Sequence, residues 1–255
     1  MNIIYLIKKI IKLLTFYKKR DEEINDEFLH FELNKLFDGS EKEVKKFKSL
    51  ITDLLGTSAI EAINILRSLK DTKMVNGDVC EFGVAQGKTS KLIASYIKDS
   101  EKKLFLFDSF NGLPPPSKED ELKDDIFNLK EIANYTGKMA HSENKVISEL
   151  KEINFDNQKM VINKGFFSKE NSHLNNFPKE ISFAYLDFDF YKPTKDVLEV
   201  INPLLKKNSQ IIVDDYDFFS TGVKKAVDDW FDNSKFSQKK IRTSKASFII
   251  IKKII

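Results

Sequence analysis

The stretch Asp78-Val-Cys-Glu-Phe-Gly-Val-Ala-Gln-Gly-Lys-Thr-Ser90 decides the fold of this chain. Its apolar start predicts a strand that carries one acidic residue, Glu81. Two glycines, Gly83 and Gly87, then form a turn, and the residues Lys88–Ile97 show a helical pattern. Because glycine has no Cβ, a ligand can lie against the backbone of such a turn, where the amides of the helix start face it. The stretch therefore predicts a small cofactor at the carboxyl end of a strand.

Three kinds of cofactor loop compete for this turn, and the spacing of its glycines separates them. A dinucleotide loop needs Gly-x-Gly-x-x-Gly, whereas this turn has Gly-x-x-x-Gly. A phosphate-binding P-loop needs a glycine where this chain has Phe82. The S-adenosylmethionine loop of class I methyltransferases usually has Glu-x-Gly-x-x-x-Gly, and we favour that interpretation over a P-loop or a purely structural turn. The cofactor contacts predicted in this loop are Glu81, Gly83, Val84, Gly87, Thr89 and Ser90.

Composition places the chain among soluble globular proteins. It has 255 residues, of which 41% are apolar and 32% charged, enough for one large α/β domain with additions at its ends. Residues 1–20 hold six basic residues and no acid, and the remainder holds 36 basic against 39 acidic residues. The body of the chain is therefore not expected to bind nucleic acid. The single cysteine, Cys80, excludes an internal disulfide and fits a reducing cytoplasm.

Residues 1–20 are predicted to form a basic amphipathic helix. Lys8, Lys12 and Lys19 fall on one side at helical spacing, and aliphatic residues cover the other. The longest apolar run, Ile3–Ile7, is too short to span a bilayer, and no signal-peptide cleavage site follows it. Such a helix can lie on an anionic membrane surface or pack against a neighbouring subunit. We favour the second, which predicts a homo-oligomer.

The rest of the chain is predicted to divide into a helical cover, residues 21–74, and an α/β domain, residues 75–255. Parts of the cover are expected to close the cofactor site from above. In the second region strands and helices alternate, which predicts a mostly parallel sheet with helices on both faces. Strands are predicted at 79–82, 103–107, 159–163, 181–186 and 210–213, helices at 88–98, 142–151, 193–205 and 222–231, and an antiparallel hairpin at 239–251.

Residues 112–141 interrupt this alternation. They contain three consecutive prolines, a charged run and some helical spacing up to Gly137. A long polar excursion at one edge of a sheet often forms a lid over a site. We therefore predict a lid here. His141, at its end, is a weaker candidate for substrate contact, because a lone histidine is more often a surface or capping residue.

Further cofactor contacts are predicted after the second and third strands. Asp108 ends the second strand, 27 residues after Glu81, where an acid commonly accepts hydrogen bonds from a ribose. Ser109 follows it directly. Gly165 and Phe166 follow the third strand, where they are placed to flank an adenine ring. The alternatives are a turn cap for Asp108 and core packing for the phenylalanine.

Four acidic residues follow the next two strands. Asp187 and Asp189 are two residues apart, so their side chains leave the chain on the same face. Asp214 and Asp215 end the following strand, at the edge that holds the cofactor loop. Crowded carboxylates raise one another's pKa values unless a cation neutralises them, and hard oxygen ligands suit Mg²⁺ or Mn²⁺. The pattern indicates a metal site, with solvated acids or helix caps as the alternative.

Two other motifs overlap these acids. The run Gln210–Asp215 is similar to the Walker B strand of a P-loop ATPase, but the matching Walker A loop is one residue short. The tripeptide Asp187-Phe-Asp189 matches the Asp-x-Asp motif of glycosyltransferases that use nucleotide sugars. A glycosyltransferase is therefore an alternative function, although it does not explain the glycine turn.

Five segments together resemble the macrocin O-methyltransferase family, metal-dependent class I enzymes that methylate sugar hydroxyls. They are Asp78–Ser90, Leu106-Phe-Asp-Ser-Phe-Asn-Gly-Leu-Pro114, Lys164-Gly-Phe-Phe167, Leu186-Asp-Phe-Asp-Phe-Tyr191 and Val213-Asp-Asp-Tyr216. The similarity covers roughly residues 75–232. It implies a seven-stranded Rossmann-like sheet, S-adenosylmethionine as methyl donor, Mg²⁺ and a homo-oligomer.

The resemblance also implies residue roles. Asp187, Asp214 and Asp215 are the implied metal ligands, Asp189 the general base, and Glu81, Gly83, Asp108 and Asp187 the implied cofactor contacts. The predicted function is therefore methyl transfer to a hydroxyl of a sugar, in a glycoside or linked to a nucleotide, for the synthesis of a surface polysaccharide or a natural product. A non-catalytic binding protein on the same fold is a further alternative. The chain departs from the family in its basic start and its Lys- and Phe-rich lid, where acceptor specificity is expected, so the acceptor stays open.

Overall fold

One sheet of seven strands organises the protein in the computed structural model, which describes residues 26–172, 176–243 and 246–255. The strands are β1 (Asp78–Phe82), β2 (Leu104–Asp108), β3 (Met160–Lys164), β4 (Ile181–Leu186), β5 (Leu205–Val213), β6 (Phe236–Arg242) and β7 (Ser247–Lys253). Their order across the sheet is β3-β2-β1-β4-β5-β7-β6. The first five are parallel, and β7 is antiparallel to both of its neighbours. The predicted Rossmann-like fold with an antiparallel C-terminal hairpin is confirmed.

The central strands form where the sequence is mostly apolar. Residues 79–82 of β1 and all of β4 are buried, as expected for parallel strands that are covered on both faces. Strand β5 begins five residues earlier than predicted, at Leu205. Its residues 206–208 are exposed, so an apolar pattern detects only the buried end of this strand.

Seven α-helices cover the sheet within the described residues. They are α1 (Asp26–Leu36), α2 (Glu41–Thr52), α3 (Ala59–Asp71), α4 (Lys88–Ile97), α5 (Glu143–Glu152), α6 (Tyr191–Ile201) and α7 (Thr221–Trp230). Apolar residues of α3, α4 and α5 pack on one face of the sheet, and those of α6 and α7 pack on the other. Helices α1 to α3 share a further core with Leu92 of α4.

The predicted helix at residues 1–20 lies outside the described residues. Along the described ranges, no helix is both long enough and apolar enough to cross a membrane.

The lid, residues 112–141, has less helix than its sequence pattern suggested. Its helical part is a single 3₁₀ turn, Ile132–Tyr135. Just before it, Asn128 and Lys130 adopt positive φ angles of 54° and 73°, which a helix cannot accommodate. The Asp125 carboxylate accepts the amides that follow this kink, at Leu129 and Lys130. Local side-chain hydrogen bonds therefore interrupt the helical spacing that the sequence shows here.

The lid is docked on the loops that follow β4 and β5. Its apolar residues Leu113 and Tyr135 form a small core with Phe190 and Phe219 from those two loops. Backbone hydrogen bonds join it to the second loop, from Lys123 N to Phe219 O at 2.9 Å and from Thr221 N to Glu121 O at 3.0 Å. The lid thus lies over the ends of the strands that carry the four acids.

Candidate active site

A cleft opens at the carboxyl ends of β1 to β5. Nine of the predicted site residues line it: Gly83, Asp108, Ser109, Gly165, Phe166, Asp187, Asp189, Asp214 and Asp215. Leu55 and Gly56, between α2 and α3, also line the cleft, so the helical cover reaches the site as expected. On the lid side the lining includes Leu113, Met139 and His141. Parallel strand ends and a docked lid therefore bring together residues that lie more than a hundred positions apart in the chain.

The turn after β1 requires glycine at position 83 for a reason that the sequence did not reveal. Gly83 has a φ of +87°, and an ideal Cβ on it would lie 1.9 Å from the carbonyl oxygen of Asp187. The amide of Asp187 in turn donates to Phe82 O at 2.7 Å. The end of β4 therefore lies directly against this turn. Glycine is needed for backbone packing, whether or not a ligand also lies there.

Asp108 holds the same turn from the β2 side. Its Oδ2 accepts the amides of Val84 at 2.7 Å and Ala85 at 2.9 Å, and its Oδ1 accepts the amide of Phe110 at 2.6 Å. The turn-capping alternative is thus observed directly. Because each carboxylate oxygen has two lone pairs, acceptor capacity remains for a ribose hydroxyl. The predicted ribose contact stays a prediction.

Four predicted cofactor contacts support the turn from behind and do not line the cleft. The Val84 side chain is buried in the core. A Cβ on Gly87 would meet Val146 of α5 at 3.0 Å. The Thr89 hydroxyl lies 2.8 Å from that of Thr57, and Ser90 is fully buried. The sequence motif alone does not distinguish such supporting residues from ligand contacts.

Glu81 lies in the strand beneath the cleft and is fully buried. Neither of its carboxylate oxygens has a hydrogen-bond partner among the described residues, and the same is true of the Ser90 hydroxyl. Burial raises the pKa of Glu81 to about 8; the nearby Ser90 hydroxyl opposes this rise, and the charge of Asp108 adds to it. A buried carboxyl group with unsatisfied oxygens is rare in folded proteins and is often found at functional sites.

Three of the four acids converge in the cleft. One carboxylate oxygen from each of Asp187, Asp189 and Asp215 lies within 4.8 Å of the others. Asp189 and Asp215 adopt left-handed backbone conformations, with φ of 62° and 54°. Aspartate tolerates this region better than most residues, but the conformation still costs energy and is often found at functional sites. The structure therefore places the predicted base in the same group as two predicted metal ligands.

Asp214 lines the cleft and also belongs to a buried polar network. Its Oδ1 accepts the amide of Asp215 at 2.7 Å, and its Oδ2 accepts the Tyr185 hydroxyl at 3.1 Å. The same hydroxyl lies 3.3 Å from Oε1 of Glu61 on α3. Burial, and then the charge of Asp214, raise the pKa of Glu61 well above its usual range. The network connects the helical cover to the acids.

Sequence analysis missed Glu61 and Tyr185. Glu61 stands three residues after Ser58, in the pattern of a helix capping box, and the Ser58 hydroxyl does accept its amide at 3.2 Å. Tyr185 lies in a fully buried, mostly apolar strand, where an aromatic residue suggests core packing alone. Local patterns explain both residues, so only the folded structure reveals their contact.

His141 lines the cleft beside Asp108. Burial lowers the pKa of its imidazole, and the charge of Asp108 opposes the shift. Lys192 also lines the cleft, and its amine lies 2.7 Å from Oδ1 of Asp196 on the same helix. That lysine therefore already has a carboxylate partner.

Comparison with known proteins identifies the family. The profile of the family described as macrocin O-methyltransferase (TylF) matches residues 68–246. This chain belongs to the macrocin O-methyltransferase family. The assignment made from five motifs is confirmed, and the matched region includes every residue that lines the cleft on the sheet side.

One relative with a named activity shares only low sequence identity with this chain. The 8-demethyl-8-(2,3-dimethoxy-alpha-L-rhamnosyl)-tetracenomycin-C 4'-O-methyltransferase of Streptomyces olivaceus is 26% identical over 146 residues, 56% of this chain. The match covers 54% of that relative, so the chain spans about half its length.

Two solved structures share the fold. The O-methyltransferase NovP has a TM-score of 0.64 and 19% identity, and the match covers 78% of this chain and 81% of NovP. The calicheamicin methyltransferase CalS11 has a TM-score of 0.58 and 21% identity, over 89% of this chain and 93% of CalS11.

Proposed function

We propose that this protein transfers a methyl group from S-adenosylmethionine to a hydroxyl of a sugar. The observation that carries the proposal is that the family's glycine turn and its acidic residues line one cleft, joined by the backbone contact between Gly83 and Asp187. The curated relative is named for methylating a rhamnosyl group on tetracenomycin. A deoxysugar, carried on a glycoside or a nucleotide, is therefore the acceptor class that we infer.

The cleft fits S-adenosylmethionine on the side of β1 to β3. The backbone at Gly165 is open, with no atom within 4 Å of an ideal Cβ, and the Phe166 side chain beside it is 47% exposed. Such an exposed aromatic ring at a cleft can stack on a purine. Asp108 has acceptor capacity for the ribose, and Ser109 lies beside it. We propose that these residues bind the nucleoside part, and that Glu81 influences the charge beneath it.

The acids fit a divalent cation by the chemistry of their donors. Carboxylate oxygens are the ligands that Mg²⁺ and Mn²⁺ prefer. We propose Asp187, Asp214 and Asp215 as ligands, in agreement with the family motif. Asp214 is oriented by Tyr185, as metal ligands commonly are by a second hydrogen-bonded group.

We propose Asp189 as the general base, the role that the family resemblance implies. It lines the cleft, is half-buried, and lies within 4.8 Å of the carboxylates of Asp187 and Asp215. S-adenosylmethionine would supply an electrophilic methyl group, and the cation a Lewis acid that lowers the pKa of the acceptor hydroxyl. Asp189 would accept the hydroxyl proton on a carboxylate oxygen while the acceptor oxygen attacks the methyl carbon; the bond from that carbon to sulfur would break, and its electron pair would stay on the sulfur of S-adenosylhomocysteine. General-base catalysis of this kind typically contributes ~10²–10⁴-fold in rate.

The lid would exclude water during this transfer. Leu113, Ile126 and Met139 present apolar surface to the cleft. Exclusion of water strengthens the electrostatic interactions inside a site and protects a reactive methyl donor from side reactions.

Titration calorimetry tests this function against its alternatives. We expect chelator-treated protein to bind S-adenosylmethionine, because the predicted nucleoside contacts include no metal. Binding of a nucleotide sugar with metal, and no binding of S-adenosylmethionine, would indicate the glycosyltransferase alternative. Binding of neither would indicate a non-catalytic protein. A methyl-transfer assay with rhamnosyl glycosides and rhamnosyl nucleotides then identifies the acceptor class.

A further inference from the structure

One carboxylate of the lid lies at a junction of three chain segments. Asp120 is 5% exposed. Its Oδ2 accepts both the amide and the hydroxyl of Ser117, each at 2.7 Å. Its Oδ1 accepts the amide of Tyr191, the first residue of α6, also at 2.7 Å. Asp120 therefore ties the lid to the loop that follows β4.

The tied residue lies two positions after Asp189. The carbonyl oxygen of Asp189 accepts the Ser220 hydroxyl at 2.7 Å. Ser220 itself pairs with the lid through a β-bridge to Leu122. Two contacts, one at the carbonyl oxygen of Asp189 and one at the amide of Tyr191, thus hold the left-handed backbone of Asp189. Since this conformation costs energy, it persists only where the surroundings enforce it.

Gly222, at the start of α7, shows how closely the third segment approaches. An ideal Cβ on Gly222 would lie 1.8 Å from Oδ1 of Asp120 and 2.7 Å from the amide nitrogen of Tyr191. A side chain here would displace the carboxylate from the amide that it accepts. The absence of a side chain at 222 therefore preserves the same hydrogen bond that Asp120 makes.

We propose that Asp120 is a positioning residue, through which the docked lid holds the segment that carries Asp189 and the proposed metal ligand Asp187. The role assigned to these acids rests on the proposed function, whereas the contacts themselves do not. The lid is then part of the apparatus that orients the acids as well as a cover for the cleft. Loosening it would move the acids apart.

Two substitutions remove the same hydrogen bond by different means. Asp120→Ala deletes the acceptor, and Gly222→Ala keeps the charge but obstructs it. Asp125→Ala is the matched control, because Asp125 also accepts several hydrogen bonds in the lid, all from the lid residues Leu129, Lys130 and Tyr135. Asp120→Asn retains an oxygen that can accept the Tyr191 amide. Its amide exchange and Mn²⁺ affinity should therefore stay close to those of the unsubstituted protein.

Two measurements on the full chain decide the proposal: hydrogen exchange of the Tyr191 amide, and calorimetric titration with Mn²⁺. We expect Asp120→Ala and Gly222→Ala to speed exchange at least tenfold and to weaken Mn²⁺ binding at least fivefold, whereas Asp125→Ala changes both by less than twofold. S-adenosylmethionine affinity and circular dichroism report whether each variant is folded.

Unchanged exchange, or faster exchange with unchanged Mn²⁺ affinity, would overturn the proposal, and so would an equal loss in Asp125→Ala. Failure of the unsubstituted protein to bind Mn²⁺ would instead contradict the metal part of the proposed function. The exchange of the Tyr191 amide would then decide by itself whether Asp120 holds the segment.

Discussion

The backbone of Gly83 lies against the carbonyl group of Asp187, so closely that an ideal Cβ on residue 83 would be 1.9 Å from that oxygen. The turn expected to bind the cofactor and the loop that carries the first acid are therefore in direct contact. A shift in one necessarily moves the other. This contact fixes the position of the glycine turn relative to the loop that carries the first acid.

Gly83→Ala should destabilise the protein and weaken S-adenosylmethionine binding together. The added methyl group cannot avoid the Asp187 backbone, so we expect a loss of more than ~3 kcal/mol in the free energy of unfolding. Gly39→Ala is the control, since Gly39 has a similar φ of +82° but no atom within 4 Å of an ideal Cβ. It should cost only the left-handed strain, ~1–2 kcal/mol. Urea denaturation measures the free energy of unfolding of both variants, and an equal loss of stability in the two would refute the steric explanation.

Tyr185→Phe should weaken metal binding without affecting S-adenosylmethionine. The substitution removes the hydroxyl that donates to Asp214, and loss of such an orienting contact typically costs ~10–100-fold in metal affinity. Tyr135→Phe removes another buried hydroxyl, which bonds to Asp125 in the lid, and should leave metal affinity unchanged. Calorimetry with Mn²⁺ compares the two variants. Equal Mn²⁺ affinity in Tyr185→Phe and in the unsubstituted protein would show that Tyr185 does not orient a metal ligand.

Glu81→Gln should change how stability depends on pH. The pKa of Glu81 is about 8 in the folded protein, against 4.5 for an ordinary glutamate. Between these values the unfolded chain releases the proton and the folded protein keeps it, so rising pH favours unfolding by ~1.4 kcal/mol per pH unit. Glutamine cannot titrate, so the stability of the variant should rise relative to that of the unsubstituted protein by ~1.4 kcal/mol for each pH unit, or about 2.7 kcal/mol from pH 5 to pH 7. Denaturation curves without cofactor test this, and parallel pH profiles would show that Glu81 titrates normally.

Asp189→Asn should lose catalytic rate while keeping S-adenosylmethionine affinity. An amide cannot take up the acceptor proton, and we expect kcat to fall by ~10²–10⁴-fold. Asp217→Asn is the control, because Asp217 lies in the loop after β5 but pairs with Lys123 and Arg242. Methyl transfer to a rhamnosyl glycoside measures both variants. A rate for Asp189→Asn within a few-fold of the unsubstituted protein would assign the base to another group.

The sequence predicted most of the fold because continuous burial leaves a local signature. The boundaries of β4 agree with its apolar run, and β1 differs from prediction by one residue. Prediction failed where partners distant in sequence decide the conformation. The start of β5 is exposed and becomes a strand only beside β4, and the lid kinks where Asp125 captures the amides of Leu129 and Lys130.

Prediction of the site failed for the same reason, where contacts join residues that are distant in sequence. The motifs located the strand ends and hence the acids, because parallel strands place their carboxyl ends at one edge. They did not show that Gly87 faces Val146, or that the Tyr185 hydroxyl bonds to Asp214 and lies beside Glu61. Residues 61 and 185 are 124 positions apart, and no local pattern connects them.

The central claim, methyl transfer assisted by a divalent cation, is tested most directly by turnover in the presence of a chelator. Protein freed of metal is incubated with S-adenosylmethionine labelled in its methyl group and a rhamnosyl acceptor. The account predicts no labelled product in excess chelator, S-adenosylmethionine binding largely intact, and activity restored by Mg²⁺ or Mn²⁺. Full activity in excess chelator, on protein shown to be free of metal, would contradict it.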